Sequence, residues 1–207
     1  MRRSRTTIDE APAARRRVSG ERRSRRALVA LAAAAALAAP AALARVLLTV
    51  EEALALAFPG AAIERRTVFL RPGQLARAEE LAGEKPGAGI VHPYEARRDG
   101  RLVGTAYFDR HVVRTLSETV MVAVDADGRV ARVEVLAFDE PPEYLPREPW
   151  YRQFDGRALD ADLELRRAIR PVSGATLTAR ATTDAVRRVL ALHRALAEAG
   201  VPPAEGE

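Results

Sequence analysis

Two stretches of the chain alternate apolar and polar side chains with a period of two, and each is interrupted by an Asp-Gly pair. The pairs are Asp99-Gly100 and Asp127-Gly128. An Asp-Gly pair between alternating segments is a strong hairpin signal, because a tight turn needs residues that tolerate positive φ. The four strands predicted in this way run over residues 93–98, 101–108, 118–124 and 129–138. Two such hairpins in succession predict one antiparallel sheet.

The chain changes to a helical period near its C-terminus. Between residues 177 and 199 apolar residues recur at helical spacing, and Gly200 and Pro202 follow, as they do after a helix end. The repeating positions are Ala181, Ala185, Val189, Leu192 and Leu196. This pattern predicts one long helix.

Two shorter helices are predicted before the sheet. Thr49 and Glu52 have the spacing of a capping box, which would start a helix that ends at Phe58. Pro72 and Gly83 bracket a second helix, because proline suits the first helical position and glycine the position after the last.

The remaining segments complete the predicted domain. Residues 62–69 predict a further strand, residues 85–89 a loop, and residues 139–165 a long irregular segment with four prolines. Long loops of this kind are more often functional than filler. We therefore predict an α+β fold, an antiparallel twisted sheet with flanking helices, in one domain over residues 45–200 with a tail at 201–207.

An N-terminal region precedes this domain. Residues 1–26 hold ten arginines against three carboxylates, and residues 27–44 are 18 residues without a charge. A helix of that length spans ~27 Å, just enough for a bilayer core. Ala42-Leu43-Ala44 fits a small-x-small cleavage site, so the segment is predicted to be a signal peptide or a retained membrane-anchor helix. In either case the arginines stay in the cytoplasm and the domain faces outward, in the periplasm or tethered to the cytoplasmic membrane.

The net charge of +5 comes from this N-terminal region. Residues 1–26 carry +7, so the rest of the chain carries −2 and is near neutral. A basic face on the domain itself is what nucleic-acid binding needs, so no nucleic-acid partner is predicted. The chain has no Cys, which excludes disulfides and thiolate-bound iron–sulfur clusters. His111 stands apart from other His residues, so no metal site is predicted.

The segment Pro171–Thr178 reads Pro-Val-Ser-Gly-Ala-Thr-Leu-Thr and leads directly into the long predicted helix. The first N–H groups of a helix have no partner within it, and the helix dipole adds partial positive charge there, so a phosphate is favoured. The hydroxyls of Ser173, Thr176 and Thr178 lie beside this point. The alternative is an ordinary helix on which Ser173 or Thr176 is the N-cap.

Residues Ser173 to Thr178 resemble the signature of FMN-binding domains. These domains occur in the flavin subunits of the sodium-pumping NADH:quinone oxidoreductase and of the Rnf ferredoxin-linked complex. In that family the threonine at the position of Thr176 carries FMN through a phosphoester bond, which a separate flavin transferase makes. The resemblance therefore implies FMN as the cofactor. The motif residues implied to bind it are Ser173, Gly174, Ala175, Thr176 and Thr178.

A second segment supports the resemblance, which covers about residues 46–197. Phe138–Tyr144 is similar to the Glu-Thr-Pro-Gly loop of the family and is followed, as there, by a Trp and a Gln-Phe pair, here Trp150 and Gln153-Phe154. Core positions are the favoured interpretation of Trp150 and Phe154. The loop residues implied to contact the flavin are Glu140, Pro141 and Tyr144.

The chain departs from the family pattern at Pro142, where the family often has Gly, and more seriously at a position before the motif. An Asp usually lies six residues before the modified threonine and helps the transferase recognise it, but this chain has Arg170 there. Covalent and non-covalent attachment of FMN therefore both stay open. Arg170 itself is either a contact to the flavin phosphate, since guanidinium matches phosphate geometry, or a solvated cation.

The resemblance implies an electron carrier more than a stand-alone enzyme. Such a protein relays electrons at the outer face of the cytoplasmic membrane, with membrane redox proteins as partners and the flavin transferase needed for maturation. An uncleaved N-terminal helix would hold it in the membrane. The alternative is a non-redox exported module that recognises another phosphate-bearing ligand. A flavin reductase ranks last, because the chain has no Gly-x-Gly-x-x-Gly fingerprint for a dinucleotide.

Overall fold

The computed structural model describes residues 45–84, 87 and 89–200. The predicted Arg-rich region, the predicted signal or anchor segment and the tail at 201–207 lie outside the described residues, as does part of the predicted loop at 85–89. Within the described part of the chain, no helix is long and apolar enough to cross a membrane.

Eight strands and four helices form the described domain. The strands are β1 (Arg45–Val46), β2 (Ala62–Arg65), β3 (Val68–Phe69), β4 (Ile90–Val91), β5 (Tyr94–Arg98), β6 (Arg101–Val112), β7 (Ser117–Asp125) and β8 (Val130–Phe138). The helices are α1 (Val50–Ala57), α2 (Pro72–Ala82), α3 (Glu148–Tyr151) and α4 (Thr176–Glu198), with single 3₁₀ turns at Pro142–Tyr144 and Arg152–Phe154. The predicted α+β class, with an antiparallel sheet and flanking helices, is confirmed.

Six of the strands make one antiparallel sheet in the order β1-β8-β7-β6-β5-β2. Both predicted hairpins are present: β5 pairs with β6 and β7 with β8. In the first turn Asp99 and Gly100 both have positive φ, at 51° and 76°. This backbone matches the twist of the paired strands, which explains why Asp-Gly is the strongest short hairpin signal.

The strand predicted over residues 62–69 is divided between two sheets, so that prediction was wrong in part. β2 pairs with β5 in the large sheet, whereas β3 pairs with β4 in a separate two-stranded sheet. The Arg66 N–H donates to the Pro93 carbonyl (2.9 Å) where the chain passes from one sheet to the other. The charged run Glu64-Arg65-Arg66 marks this break in the sequence.

Successive side chains of β7 point to opposite faces of the large sheet, as the pleat requires. Val120, Val122 and Val124 join the core that includes α4 residues, among them Val186 and Val189. On the other face the core contains alternate strand residues and three residues at α1. Its members are Ala53, Leu54, Phe58, Ala96, Ala106, Met121, Ala123 and Leu136. The sheet is therefore covered by helices on both faces.

Gly104 of β6 lies against the side chain of Phe58, the C-cap residue of α1. A Cβ at this position would meet the Phe58 ring and lie 2.6 Å from the Val124 carbonyl oxygen. The glycine thus makes room for the aromatic side chain at the end of α1.

Candidate functional site

The start of α4 has no side-chain cap. Gly174 turns the chain with φ of 83°, and Ala175 takes the N-cap position, where it has no side chain able to accept a hydrogen bond. Thr176 is the first helical residue, and its Oγ1 donates to the Val172 carbonyl (3.1 Å). The alternative in which Ser173 or Thr176 caps the helix is therefore wrong, because after the positive-φ turn at Gly174 the N-cap is Ala175 and the helix begins at Thr176.

The Val172 carbonyl accepts a second hydrogen bond, from the Ala175 N–H (3.1 Å). This bond closes the turn with backbone groups alone. In the described part of the chain, the N–H groups of the first helical turn, Thr176 to Thr178, have no backbone or side-chain acceptor. With the helix dipole behind them, these three donors favour an anion.

A cavity of about 220 Å³ lies at this helix start. It is lined by Arg114, Tyr144, Gly174, Ala175, Thr176, Leu177 and Thr178, and none of these seven described residues carries a carboxylate. The Arg114 guanidinium lies over the Tyr144 ring, 4.5 Å from its centroid, which is the distance of a cation–π contact. Leu177 is 50% exposed. The site therefore combines a cation, uncapped helical N–H groups and apolar surface.

Glu140 organises the turn that carries Arg114. Its Oε1 accepts the backbone N–H groups of Arg114 (3.1 Å), Thr115 (2.7 Å) and Leu116 (2.9 Å). The hydrogen bond from the Thr115 N–H, helped by the other two, holds the pKa of the buried Glu140 carboxyl below its ordinary value. The sequence predicts a flavin contact for Glu140, and that role stays a prediction. The structure gives it a positioning role toward Arg114.

The loop after Glu140 is fastened to α4. The Thr178 hydroxyl donates to the Tyr144 carbonyl at 2.6 Å, and the Tyr144 N–H donates to the Pro141 carbonyl at 2.9 Å. Thr178 is 1% exposed, so this bond is shielded from water. Pro141 shapes the loop from outside the cavity, and Thr178 holds the Tyr144 backbone at the helix start.

Trp150 and Gln153 fix the chain just before the motif. The Trp150 indole N–H donates to the Arg170 carbonyl (2.6 Å), and the Arg170 N–H donates to Gln153 Oε1 (3.0 Å). Trp150 and Phe154 are 9% and 0% exposed, which confirms both as core residues. The Arg170 side chain is exposed, with its backbone held on both sides.

Comparison with known proteins agrees with this geometry. Residues 117–191 match the family model of the FMN-binding domain. This part of the chain is an FMN-binding domain. Over 125 residues the chain is also 30% identical to the G-type subunit of the ion-translocating oxidoreductase complex of Stutzerimonas stutzeri. That match covers 55% of this chain, and the chain spans about 55% of the relative's length.

The residues of the FMN-binding domain fit its cofactor, FMN. A phosphate needs donors and positive charge, which the start of α4 and Arg114 supply, and a flavin ring needs flat or apolar surfaces, which Tyr144 and Leu177 offer. Gly174, Ala175, Thr176, Thr178 and Tyr144 line one cavity, whereas Ser173 is exposed beside it. Arg114 was not singled out from the sequence within the polar segment at residues 111–119, which could either line the site or simply form a turn. The only signal was a cation in that segment just before a predicted strand.

Proposed function

We propose that this FMN-binding domain is an electron carrier whose FMN phosphate lies at the start of α4. The observation that carries the proposal is the helix start without a side-chain cap, which faces the cavity that contains Arg114. A helix left without a cap has three donors to satisfy, and a phosphate satisfies them in the way a capping side chain otherwise would.

Each side chain of the cavity has a distinct role in this proposal. The N–H groups of Thr176 to Thr178 and the Arg114 guanidinium hold the phosphate oxygens. Tyr144 is kept in place by the Thr178 hydroxyl and by Arg114, and with Leu177 it provides surface for the ring. When bound, FMN supplies the redox chemistry, while the protein supplies binding, orientation and electrostatics.

We further propose that FMN is attached covalently through Thr176. The bond would join the Thr176 Oγ1 to the phosphorus of the flavin donor. The hydroxyl proton leaves, and one P–O bond breaks so that an oxygen-linked leaving group departs with the electron pair. The Thr176 hydroxyl would then no longer donate to Val172, but that carbonyl would keep the Ala175 N–H. Attachment would therefore leave the turn intact. Exposure of the Arg170 side chain leaves room for a transferase to tolerate it in place of the family's Asp.

The proposed setting is the outer face of the cytoplasmic membrane, with membrane redox proteins as partners. The relative from Stutzerimonas stutzeri belongs to an ion-translocating oxidoreductase complex, which supports such partners. The uncharged segment at residues 27–44 supports export or anchoring. The alternative function is that of a non-redox binding module. In that case the cavity would bind another phosphate-bearing ligand in place of FMN.

Mass spectrometry of the denatured protein tests the proposal. The full-length chain would be produced with a flavin transferase in an exporting host, beside Thr176→Val and Thr178→Val. We expect wild-type protein to be heavier by the mass of one FMN less one water. Thr176→Val should lack this added mass, whereas Thr178→Val, which retains Thr176, should show it. Yellow native protein without the mass gain would replace covalent by non-covalent FMN. A native protein that is colourless and shows no added mass after denaturation would overturn the electron-carrier proposal in favour of the binding module.

A further inference from the structure

Five polar side chains form a network between the large sheet and α4. The His111 Nδ1 lies 2.9 Å from Asp109 Oδ1, and its Nε2 lies 2.9 Å from Glu118 Oε2. From α4, Arg188 donates to both oxygens of Asp109 (3.1 and 2.9 Å), and the Thr182 hydroxyl donates to Glu118 Oε2 (2.9 Å). We call Asp109, His111, Glu118, Thr182 and Arg188 the His111 network.

The network lies directly behind the turn that carries Arg114. His111 of β6 and Glu118 of β7 are partners in the strand register, and the Arg114 turn joins these two strands. Thr182 and Arg188 belong to the same continuous helix that begins at Thr176. The network therefore fixes the position of the β6–β7 end, with Arg114, relative to the helix that provides the phosphate site.

The geometry favours a protonated His111. A neutral imidazole has one N–H, yet both ring nitrogens lie at hydrogen-bond distance from carboxyl oxygens, and two ionised carboxylates are both satisfied only when both nitrogens donate. Glu118 is fully buried, and within the described residues its Oε1 has no hydrogen-bond partner. The donors at Oε2 therefore offset the cost of burying this side chain, and loss of the His111 proton would turn a ring lone pair toward a buried carboxylate.

The surrounding charges agree with this protonation state. Burial disfavours the charged ring, but its hydrogen bonds to Asp109 and Glu118 and the attraction of both carboxylates raise the pKa of His111 to about 9. Asp109 from β6 and Glu118 from β7 contact the ring, and the Thr182 and Arg188 side chains of α4 contact these two carboxylates. Glu84, after α2, joins through Arg188 at 2.7 Å, and Asp184 is close enough to Arg188 and Glu84 for their charges to affect its pKa.

We propose that the His111 network positions Arg114 against the start of α4, and that it does so only while the imidazole is protonated. His111 is thus a positioning residue for the FMN phosphate, and deprotonation separates Arg114 from the site. The inference rests on the proposed function, because it takes the phosphate to bind at α4.

Binding of free FMN as a function of pH tests this inference. The full-length chain would be produced without a flavin transferase and purified in detergent, and the Kd for FMN measured by flavin fluorescence at about pH 7.5 and about pH 10, on either side of the His111 titration. The FMN phosphate is a dianion throughout, since its second pKa is about 6. Circular dichroism at each pH would establish that the protein stays folded.

Three variants separate positioning from general stability. We expect wild-type affinity to fall about tenfold toward alkaline pH, a usual size for coupling between sites. His111→Gln should show the weaker affinity at both pH values. Glu118→Gln should bind FMN without pH dependence, because a neutral imidazole can accept from the Gln amide while donating to Asp109. His193→Gln is the matched control and should keep the wild-type pH profile. His193 of α4 contacts the hydroxyl of Tyr107, which lies on β6 as His111 does, and does not contact a carboxylate.

The outcomes distinguish the two proposals. Wild-type protein that binds no free FMN at either pH would overturn this inference, whereas the proposed function is decided separately by the mass and colour of protein made with the transferase. Binding with the same pH profile in wild type and Glu118→Gln would overturn the positioning role while leaving the FMN site in place. If His111→Gln does not fold, the wild-type and Glu118→Gln profiles still decide the question.

Discussion

The helices α1 and α4 begin in opposite ways. At α1 the Glu52 N–H donates to the Thr49 hydroxyl (3.2 Å), and the Thr49 N–H donates to Glu52 Oε2 (2.8 Å), which completes a capping box. At α4 the N-cap is Ala175, which has no capping side chain, and a cavity with a cation lies in front of it. At α1 the capping box satisfies two N–H groups, whereas at α4 no side chain satisfies the N–H groups of Thr176 to Thr178, which we propose bind the FMN phosphate. The missing cap beside a cation, more than the presence of serine and threonine, supports the proposed phosphate site at α4.

A carboxylate placed at the start of α4 should give the largest effect. Leu177→Asp should weaken FMN binding by about a hundredfold, because like unit charges about 6 Å apart repel by about 3 kcal/mol at an effective dielectric constant near 20. The helix itself should not be destabilised, since an Asp in the first turn suits the dipole. The measurement is the Kd for FMN of the protein made without transferase. Leu177→Asn is the matched control, and equal affinities of the Asp and Asn variants would place the phosphate elsewhere.

Loss of the Glu140 charge should come next in size. Glu140→Gln weakens three hydrogen bonds to the Arg114 turn, and we expect the free energy of unfolding to fall by about 1–2 kcal/mol. FMN affinity should fall several-fold at the same time, because Arg114 is less well held. Urea denaturation and FMN titration would measure the two effects. Glu143→Gln, an exposed neighbour in the same loop, should change neither, and equal losses in both variants would remove the special role of Glu140.

Removal of a threonine hydroxyl should affect stability at one helix start and flavin attachment at the other. Thr49→Ala should lower the free energy of unfolding by about 1 kcal/mol, the usual cost of losing an N-cap, and leave the Kd for FMN unchanged. Thr176→Val should show the reverse: a stability change below about 0.5 kcal/mol, because Val172 keeps the Ala175 N–H, but no covalent flavin. Equal stability losses at the two positions would mean that Thr176 is a structural cap after all.

Titration of Glu52 should give the smallest effect. The Thr49 backbone N–H and then the Thr49 side chain lower the pKa of the Glu52 carboxyl from its ordinary value of 4.5. A lowered folded pKa means that this contribution to stability is present above pH 4.5 and is lost as the pH falls through the folded value. Carbon NMR of the carboxyl should show titration below 4.5 in wild type and closer to 4.5 in Thr49→Ala. An unshifted carboxyl in wild type would contradict the capping box at α1.

Much of this contrast could be predicted from residue types. The Thr49–Glu52 spacing, the Asp-Gly turns and the helical repeat of α4 each follow from local physical rules, and all three are confirmed. The absence of a cap at α4 could not be predicted from residue types. It depends on the turn at Gly174, whose φ is positive and after which Ala175, instead of Ser173, is the N-cap.

The contacts that depend on pairing were also beyond the sequence. β6 runs to Val112, beyond the predicted end at 108, because its last residues pair with the start of β7. Only that pairing brings His111 opposite Glu118 and places Arg114 at the cavity. The Glu140 hydrogen bonds join residues about 25 positions apart, and no local periodicity encodes such a distance.

The Val172 carbonyl accepts two hydrogen bonds, and this has a consequence for the order of biosynthesis. The turn before α4 closes with the Ala175 N–H alone, and Pro171, Ser173 and Gly174 around it are exposed on the folded domain. If FMN is attached to Thr176 as proposed, the modifying enzyme can work on a finished fold, without any unfolding of its target. The expected order is therefore folding first and flavin attachment afterwards.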